Sequence, residues 1–385
     1  MLPFYHPNEG RLCFPGHLGA TKEYLPPSKG FDSYFGIPYS VDMGFAYNNR
    51  TEESWSEGGG YYGCTPLPLM ANYTAVEQPV DLAHVHEKYT THAVDFVTAS
   101  LKDNKAPFFL YFAFGHVHTP QYAGVVQAGK SKRGIFGDSV AEVDASVGAV
   151  LEALGDSNTL CLLSSDNGAP DAHQHLQPGQ QIDAITGSNH LFLGSKTQTW
   201  EGGLREPGLV WWKGKIAPQV RQEVASTLDV FATVADAVGA PLPSGKIYDS
   251  VSLLPLLTAK TTTPPRNASF FYAGATLQAV RVGSYKCHLV TQQPFEPHAG
   301  PEHGFLAQSH SAHEPYGVQN PYLLFNIEID PYAPQPLFLS VCFGRGASFS
   351  LRRESELPAW LFFWPTHPSA RADAADLSCI RSRSR

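Results

Sequence analysis

The sequence predicts an α/β fold in which a mixed or parallel sheet is flanked by helices and followed by a smaller antiparallel-sheet subdomain. Two apolar runs, "PFFLYFAF" (107–114) and "TLCLLSS" (159–165), are typical of strands buried on both faces. The segment between them, "GDSVAEVDASVGAVLEALGD", has apolar residues at helical spacing. A strand, a helix and a strand within about 60 residues predict a parallel βαβ unit.

The ends of this helix are predicted from particular residues. Ser139 and Glu142 have the spacing of a capping box, and Gly155 would end the helix. The same alternation continues with the strand-like "GLVWW" (208–212) and the helix-like "STLDVFATVADAVG" (226–239). The predicted apolar stripe of the first helix comprises Val140, Val143, Val147, Val150, Leu151 and Leu154.

The pattern changes after "GAPLP" (239–243). Short strand-like runs, "ASFFYAG", "LQAVRVGSYKCHLVTQ" and "YLLFNIEID", are separated by turn residues and predict a small antiparallel sheet. We therefore expect an α/β domain over residues 1–262 and an α+β subdomain over residues 263–336. Residues 337–385 show neither period and end in an Arg/Ser tail, so we expect them to be unpacked.

Composition excludes some classes of function. The 385 residues include 27 Lys+Arg and 35 Asp+Glu, and the net charge of −8 argues against a nucleic-acid partner. No apolar run reaches about 18 residues, so we expect no membrane span. The six cysteines show no C-x-x-C spacing, which predicts neither a zinc site nor a dense disulfide framework.

Three N-x-[ST] sequons, at Asn49, Asn72 and Asn267, favour a glycoprotein that is lysosomal or secreted. If that is so, Asn72 and Asn267 should lie on exposed loops, because glycosylation needs access. The first residues lack the basic start and apolar core of a signal peptide. Sequons without a signal peptide lead us to expect that this sequence lacks the beginning of the protein.

Polar side chains follow both predicted strands, and ligands of open α/β sheets bind beyond the carboxyl ends of strands. Asp166 and Asn167 offer hard oxygen ligands for Ca²⁺ or Mg²⁺, although Asp-Asn-Gly is also a common turn. His118, two residues after His116, suits a general acid or an anion-binding group, or a capped loop histidine. Lys196 lies among small residues and alone would be interpreted as a solvated lysine.

Four segments of the chain, in order and with sensible spacing, match one family. They are "GHLGATKEYLPPSKGFDSYFGIPYSVDMG", "PFFLYFAFGHVHTPQ", "SSDNG" and "KTQTWEGGLREPGLVWW". Over residues 15 to about 336 the chain resembles the type I sulfatases, and within them the arylsulfatases. The resemblance extends through "SYKCHL" and "LLFNIEIDP". It implies an alkaline-phosphatase-like fold and hydrolysis of a small-molecule or glycan sulfate ester, with no implication for the oligomeric state.

The resemblance also implies roles for individual residues. Asp166 and Asn167 would ligate one Ca²⁺ ion that screens the charge of the sulfate. His118 would protonate the departing alcohol or phenol, and Lys196 would hold a sulfate oxygen. This fits the chemistry of an anionic ester, which needs fixed positive charge at its oxygens and an acid at its leaving group. We expect these side chains and His17 to converge on one cleft, with Lys196 within about two side-chain lengths of Asp166.

Two further roles are implied, and two family features are missing. His17 would assist the hydrated aldehyde when sulfate is expelled, and Ser40 would line the pocket. The family's formylglycine nucleophile is made from the Cys of a C-x-[PA]-S-R string, which this sequence lacks; Cys13 in "CFPGH" matches only its first three positions. The Asp-Asp pair that would complete the metal site is absent as well. We expect an incomplete chain that is inactive as written.

Three functional interpretations remain open at this point. The first is a sulfuric ester hydrolase of arylsulfatase type. The second is a phosphodiesterase or phosphatase of the same superfamily, although such relatives bind paired transition metals and the Lys196 segment favours sulfate. The third is a non-catalytic protein that keeps the pocket and binds sulfated ligands without a nucleophile.

Overall fold

The computed structural model describes residues 11–13, 19–44, 46, 66–103, 106–118, 121–170, 187–189, 192–291, 317–329 and 337–338. The chain divides into two compact units. The first comprises Met1–His190 and Ser195–Arg266, and the second comprises Leu191–Gly194 and Asn267–Arg385. Within the described residues, no helix has the length and apolar character needed to cross a membrane.

A mixed sheet of five short strands organises the first unit, in the order β4-β3-β2-β1-β5. β1 runs parallel to both β2 and β5, whereas β3 is antiparallel to β2 and to β4. The carboxyl ends of β1, β2 and β5 therefore lie at the same edge of the sheet. The strands are β1 (Arg11–Cys13), β2 (Ser33–Gly36), β3 (Leu69–Ala71), β4 (Thr74–Glu77) and β5 (Phe109–Tyr111).

The core of this unit lies between the sheet and a long helix, α1 (Leu82–Asp103). Its buried residues Val85, Tyr89 and Ala93 recur at intervals of four, as expected for one face of a helix. The Tyr89 hydroxyl accepts a hydrogen bond from the backbone N–H of Ile37 at 3.1 Å, which ties the helix to the segment after β2. The packing of α1 against the sheet thus combines apolar burial with a buried polar contact.

β5 is covered on one face only. Leu110 and Phe112 pack against the core cluster, whereas Phe109 and Tyr111 are 41% and 51% exposed. The prediction that this strand is buried on both faces is therefore wrong. The continuous apolar run conceals an alternation, because aromatic residues occupy the exposed face as well as the core face.

The pairing of the next strand also differs from the prediction. β6 (Cys161–Ser164) pairs antiparallel with β7 (Gly208–Trp211), and β5 pairs with β1. The expected parallel pairing of β5 with β6 does not occur within the described ranges. The second helix, α2 (Gly134–Leu154), therefore connects strands of two different ladders.

The predicted capping box is wrong because α2 begins at Gly134, five residues before Ser139. Asp138 bonds to the loop that precedes this start. Its buried carboxylate accepts hydrogen bonds at 2.7–3.1 Å from the backbone N–H groups of residues 129–131, which stabilises the loop that leads into the helix. Glu142 does not take part in a cap, and its carboxylate contacts His116 instead.

The apolar stripe of α2 is only partly buried. Leu154 is 4% exposed and Val150 packs against the core, but Val140 is 44% exposed. Gly155 follows the last helical residue at a φ of 52°, so the predicted end of the helix is confirmed. Glycine suits this position because a residue with Cβ is strained there.

A buried ion pair holds the last residue of the first unit, Arg266. Asp229, the first residue of α4, is fully buried and bonds the guanidinium of Arg266. The same carboxylate accepts backbone N–H groups of Ser226 at 2.9 Å and Val251 at 3.1 Å, so its charge is satisfied on several sides. The helices of this region are α3 (Glu201–Leu204), α4 (Asp229–Ala237) and α5 (Leu254–Leu257).

The second unit contains the predicted antiparallel sheet, in the order β12-β11-β10-β9-β8. Leu337 and Phe338 pair with β11, whereas positions 339–385 lie outside the described residues, so the expectation of an unpacked tail stays a prediction. The strands are β8 (Ser269–Ala273), β9 (Thr276–Val282), β10 (Tyr285–Thr291), β11 (Gly317–Asn326) and β12 (Leu337–Phe338).

β10 carries buried polar side chains into this second sheet. The ring of His288 meets Phe325 edge-on at 5.9 Å, and the Lys286 ammonium lies 4.5 Å from the centre of the Phe271 ring. Burial lowers the pKa of His288 well below 6.5, and the charge of Lys286 lowers this pKa further. The folded state therefore holds His288 neutral at pH values where the unfolded chain would protonate it.

We expect acid to destabilise the fold through His288. Because the unfolded chain binds a proton near pH 6.5 and the folded chain does not, the free energy of unfolding should fall by up to about 2 kcal/mol between pH 7 and pH 5 from this group. Urea unfolding of His288→Gln and His288→Phe at both pH values should show a shallower pH dependence than the original chain. Equal pH dependence in all three proteins would contradict the expectation.

Candidate active site

One part of the candidate site lies at the carboxyl edge of the mixed sheet. Ser40 follows β2 and His118 follows β5, two strands that are parallel to the same neighbour. The two segments lie close together, because a Cβ placed on Gly115 would lie 3.9 Å from the side chain of Val41. The role of Ser40 in lining the pocket stays a prediction.

His118 is exposed, whereas the side chain of His116 in the same turn is buried. The backbone N–H of His118 donates to the carbonyl of Gly115 at 3.3 Å and closes the turn. The Nε2 atom of His116 lies 2.7 Å from the Glu142 carboxylate, which belongs to α2. The His118 imidazole is exposed on a turn that the contact between His116 and Glu142 holds in place. It can therefore bind a leaving-group oxygen or an anion.

The second part of the site follows β6. Asp166 is exposed, and its Oδ1 atom accepts the N–H of Asn167 at 2.9 Å. An Asx turn at Asp166 would need the N–H of Gly168, but that N–H donates to the carbonyl of Gly203 at 3.1 Å. The alternative interpretation as an Asx turn is therefore wrong at Asp166. Its second carboxylate oxygen and the Asn167 amide oxygen are hard donors of the type that Ca²⁺ prefers.

Lys196 is attached to this segment through the backbone. Its N–H donates to the carbonyl of Ala169 at 3.0 Å, three residues after Asp166. The carboxamide of Asn189 brackets the same residue, accepting from the Ala169 N–H at 2.9 Å and donating to its carbonyl at 2.8 Å. Side-chain and backbone bonds thus hold the lysine loop beside the Asp166 segment.

Glycines permit this approach. A Cβ placed on Gly168 would lie 1.8 Å from the carbonyl oxygen of Gly202, and a Cβ on Gly203 would lie 2.4 Å from the carbonyls of Ser195 and Gln198. Neither contact is possible for a residue with a side chain unless the backbone moves. The small residues around Lys196 in the sequence are explained by this close packing.

Glu206 is a site residue that the sequence analysis missed. One of its carboxylate oxygens is buried without a hydrogen-bond partner. Burial raises the pKa of Glu206, the negative charge of Asp166 raises it further, and a hydrogen bond with Ser165 opposes both effects. Its position in "LREPG", just before β7, is the available signal, since β7 pairs with β6, which ends two residues before Asp166.

Helix α2 contacts both parts of the site. Glu142 bonds to His116 in the turn before His118. Phe136 lies beside Gly187, because a Cβ placed on Gly187 would lie 3.2 Å from the Phe136 ring and 3.2 Å from the side chain of Ala169. His17 lies outside the described residues, so its predicted position beside the other groups stays a prediction. The convergence of the two parts on one cleft likewise stays a prediction.

We expect Gly168→Ala to lower the free energy of unfolding by about 3 kcal/mol, because the added methyl group would collide with backbone atoms that have no freedom to turn aside. The matched control is Gly148→Ala in α2, where a Cβ would meet nothing within 4 Å. That change should raise stability by about 0.5–1 kcal/mol, as alanine favours a helix interior. Urea unfolding measures both, and similar effects would contradict the close-approach argument.

Comparison with known proteins gives the family. The family described as Sulfatase matches residues 15–240, and the C-terminal region of aryl-sulfatase matches residues 264–340. Human arylsulfatase A is 37% identical over 329 residues, which cover 82% of this chain and 61% of that protein. Canine N-acetylgalactosamine-6-sulfatase is 36% identical over 287 residues, covering 71% of this chain and 51% of that protein.

Solved structures support the same fold. The PsFucS1 sulfatase from Pseudoalteromonas sp. superposes with a TM-score of 0.68 at 21% identity, covering 85% of this chain and 66% of that one. The alkaline-phosphatase-like fold class predicted from the sequence is confirmed. This chain spans about three fifths of the length of the arylsulfatase A that it matches. With one family covering more than half of its residues, the chain belongs to the sulfatase family.

Proposed function

We propose that the protein acts on sulfate esters as a sulfuric ester hydrolase of arylsulfatase type. The observation that supports the proposal is the hydrogen bond from the backbone N–H of Lys196 to the carbonyl of Ala169, which joins the loop that carries this lysine to the segment that follows Asp166 and Asn167. A sulfate ester is an anion whose oxygens need fixed positive charge when the S–O bond breaks. A lysine next to a hard-cation site supplies it.

The other residues take the remaining roles. His118 donates a proton to the alcohol or phenol oxygen as it departs, and its exposure allows it to reach a leaving group outside the turn. Ser40 lines the pocket on the side of β2. His17 would assist the release of sulfate where the family's formylglycine is present.

The residues at the end of β6 fit a calcium ion. Asp166 and Asn167 would hold it, and the unpartnered buried oxygen of Glu206 adds negative charge at the same place. All of these donors are oxygen atoms, which suit Ca²⁺ and not a soft metal. When bound, the ion screens the charge of the sulfate.

The same 385 residues contain no C-x-[PA]-S-R string, and we propose that this chain does not turn over a sulfate ester. Covalent catalysis needs an activated nucleophile, and the family's formylglycine has no precursor here. A second candidate function is that of a non-catalytic protein that binds sulfated ligands. A phosphodiesterase of the same superfamily is a weaker candidate, because the Lys196 segment suits sulfate.

The identity of the alcohol is left open in this proposal. Relatives of nearly equal identity are named arylsulfatase A, N-acetylgalactosamine-6-sulfatase and steryl-sulfatase, at 37%, 36% and 36%. Their names refer to an aryl group, an amino sugar and a sterol. What they share is the sulfate ester, in a small molecule or a glycan, and this is the substrate class that we propose.

We propose a lysosomal or secreted location for the complete protein. Asn72 lies at the exposed turn between β3 and β4, and Asn267 is exposed before β8. Both sequons therefore meet the access requirement for glycosylation. Asn49 lies outside the described residues.

The proposal on turnover is tested with a chromogenic aryl sulfate. We expect no hydrolysis by the purified chain, with or without added calcium. Binding of phenyl sulfate, followed by calorimetry, should persist and should weaken about tenfold in Lys196→Ala, since one charge-assisted hydrogen bond is lost. The matched control, Lys215→Ala, changes an exposed lysine that follows the end of β7 paired with Cys161, away from Asp166, and should bind normally. Hydrolysis that His118→Ala abolishes would overturn the proposal of inactivity.

The calcium proposal has its own test. Calcium should bind the chain in calorimetry, and Asp166→Asn should weaken that binding because a charged ligand is replaced by a neutral one. Asp144→Asn, at an exposed position of α2, is the control. Unchanged calcium affinity in Asp166→Asn would overturn the assignment.

The glycosylation proposal can be checked in secreting mammalian cells. Asn72→Gln and Asn267→Gln should each remove one glycan. Glycosidase treatment should therefore lower the mass of each single variant by one glycan less than it lowers the mass of the original chain. A chain of unmodified mass at both sites would contradict it.

A further inference from the structure

Glu142 connects two segments on either side of His118. One carboxylate oxygen lies 2.7 Å from Nε2 of His116, two residues before His118. The backbone N–H of Gly124, six residues after it, lies 3.1 and 3.2 Å from the two oxygens. A single side chain of α2 thus bonds to the chain before and after the proposed acid.

His116 is the buried half of the turn that exposes His118. Its side chain has no exposed surface, and its ring stacks on His86 with centroids 3.8 Å apart and planes within 3°. The ring of Tyr122 lies 4.3 Å away, and the Tyr122 hydroxyl is 3.2 Å from Nε2 of His86. The imidazole of His116 is therefore held by the His86 ring on one face and by the Glu142 carboxylate at its edge.

The same three side chains, His86, His116 and Glu142, have ligand atoms within 4.8 Å of one another. A shared metal ion is nevertheless disfavoured by the stacking. A metal binds imidazole nitrogen along its lone pair, in the plane of the ring. Two face-to-face rings 3.8 Å apart have no common in-plane position, so one ring would have to leave the stack.

We propose that Glu142 is a positioning residue, which acts through His116 and Gly124 to fix the turn that presents His118. The inference rests on the proposed role of His118 and assigns no substrate contact to Glu142. A carboxylate that accepts from an imidazole and a backbone N–H forms charge-assisted bonds, which are stronger than neutral ones. Catalytic and binding groups need such support because small displacements reduce their effect.

The first measurement requires no ligand. Hydrogen exchange of the amides in residues 115–118 should accelerate about tenfold in Glu142→Ala, because the anchor of the turn is lost. Glu142→Gln keeps one hydrogen-bond acceptor and should restore most of the protection. Glu152→Ala, at an exposed position of the same helix, is the matched control and should leave exchange unchanged.

Gly124→Ala disturbs the contact between Gly124 and Glu142 by changing Gly124 instead of Glu142. A Cβ there would lie 2.1 Å from a carboxylate oxygen of Glu142, so the carboxylate has to move away. This variant should also accelerate exchange at residues 115–118, and it provides the test if Glu142→Ala does not fold. Exchange that remains at the level of the original chain in the folded variants would overturn the inference.

The second measurement links the turn to ligand binding. Phenyl sulfate affinity should fall about tenfold in His118→Ala and similarly in Glu142→Ala, and the double variant should lose no more than either single one. Additive losses would mean that Glu142 acts by another route and would overturn the inference. If exchange changes as expected but His118→Ala binds normally, the positioning stands and the proposed role of His118 falls.

Discussion

The close approach of Gly168 to the backbone of Gly202 and Gly203 is the constraint on which the arrangement at the end of β6 depends. Two chain segments meet there without side chains between them, and the N–H of Gly168 bonds to the opposite carbonyl. The lysine loop can follow the Asp166 segment only because this contact is so short. The loop that carries Lys196 and the segment that carries Asp166 and Asn167 are thereby joined through backbone contacts.

The His118 turn is organised differently. Its support comes from side chains, namely a stacked imidazole and the carboxylate of Glu142, and they belong to two helices packed on one another. Helix α2 therefore has a double function in the first unit. It fills part of the core with Val150 and supplies a polar group to the strand-end turn. Any change that rotates α2 would move both.

Sequence reasoning recovered what depends on local pattern and missed what depends on partners. The apolar runs located β5 and β6, and Gly155 marked the end of α2, because these features follow from a few neighbouring residues. The pairing partners of β5 and β6 could not be predicted, because an apolar run does not indicate which strand lies next to it. Glu142 was assigned to a cap by its spacing from Ser139. Only the three-dimensional structure reveals that the carboxylate faces His116, which is 26 positions away.

The two kinds of support have different physical sensitivities. The backbone hydrogen bond between Gly168 and Gly203 involves neutral groups, so salt and moderate changes of pH leave it largely intact. The contact between Glu142 and His116 instead joins side chains of two different elements, so it depends on the position of α2. A substitution that shifts α2 should therefore disturb the His118 turn directly, whereas the contact of Gly168 is made by the backbone of the two segments that it joins.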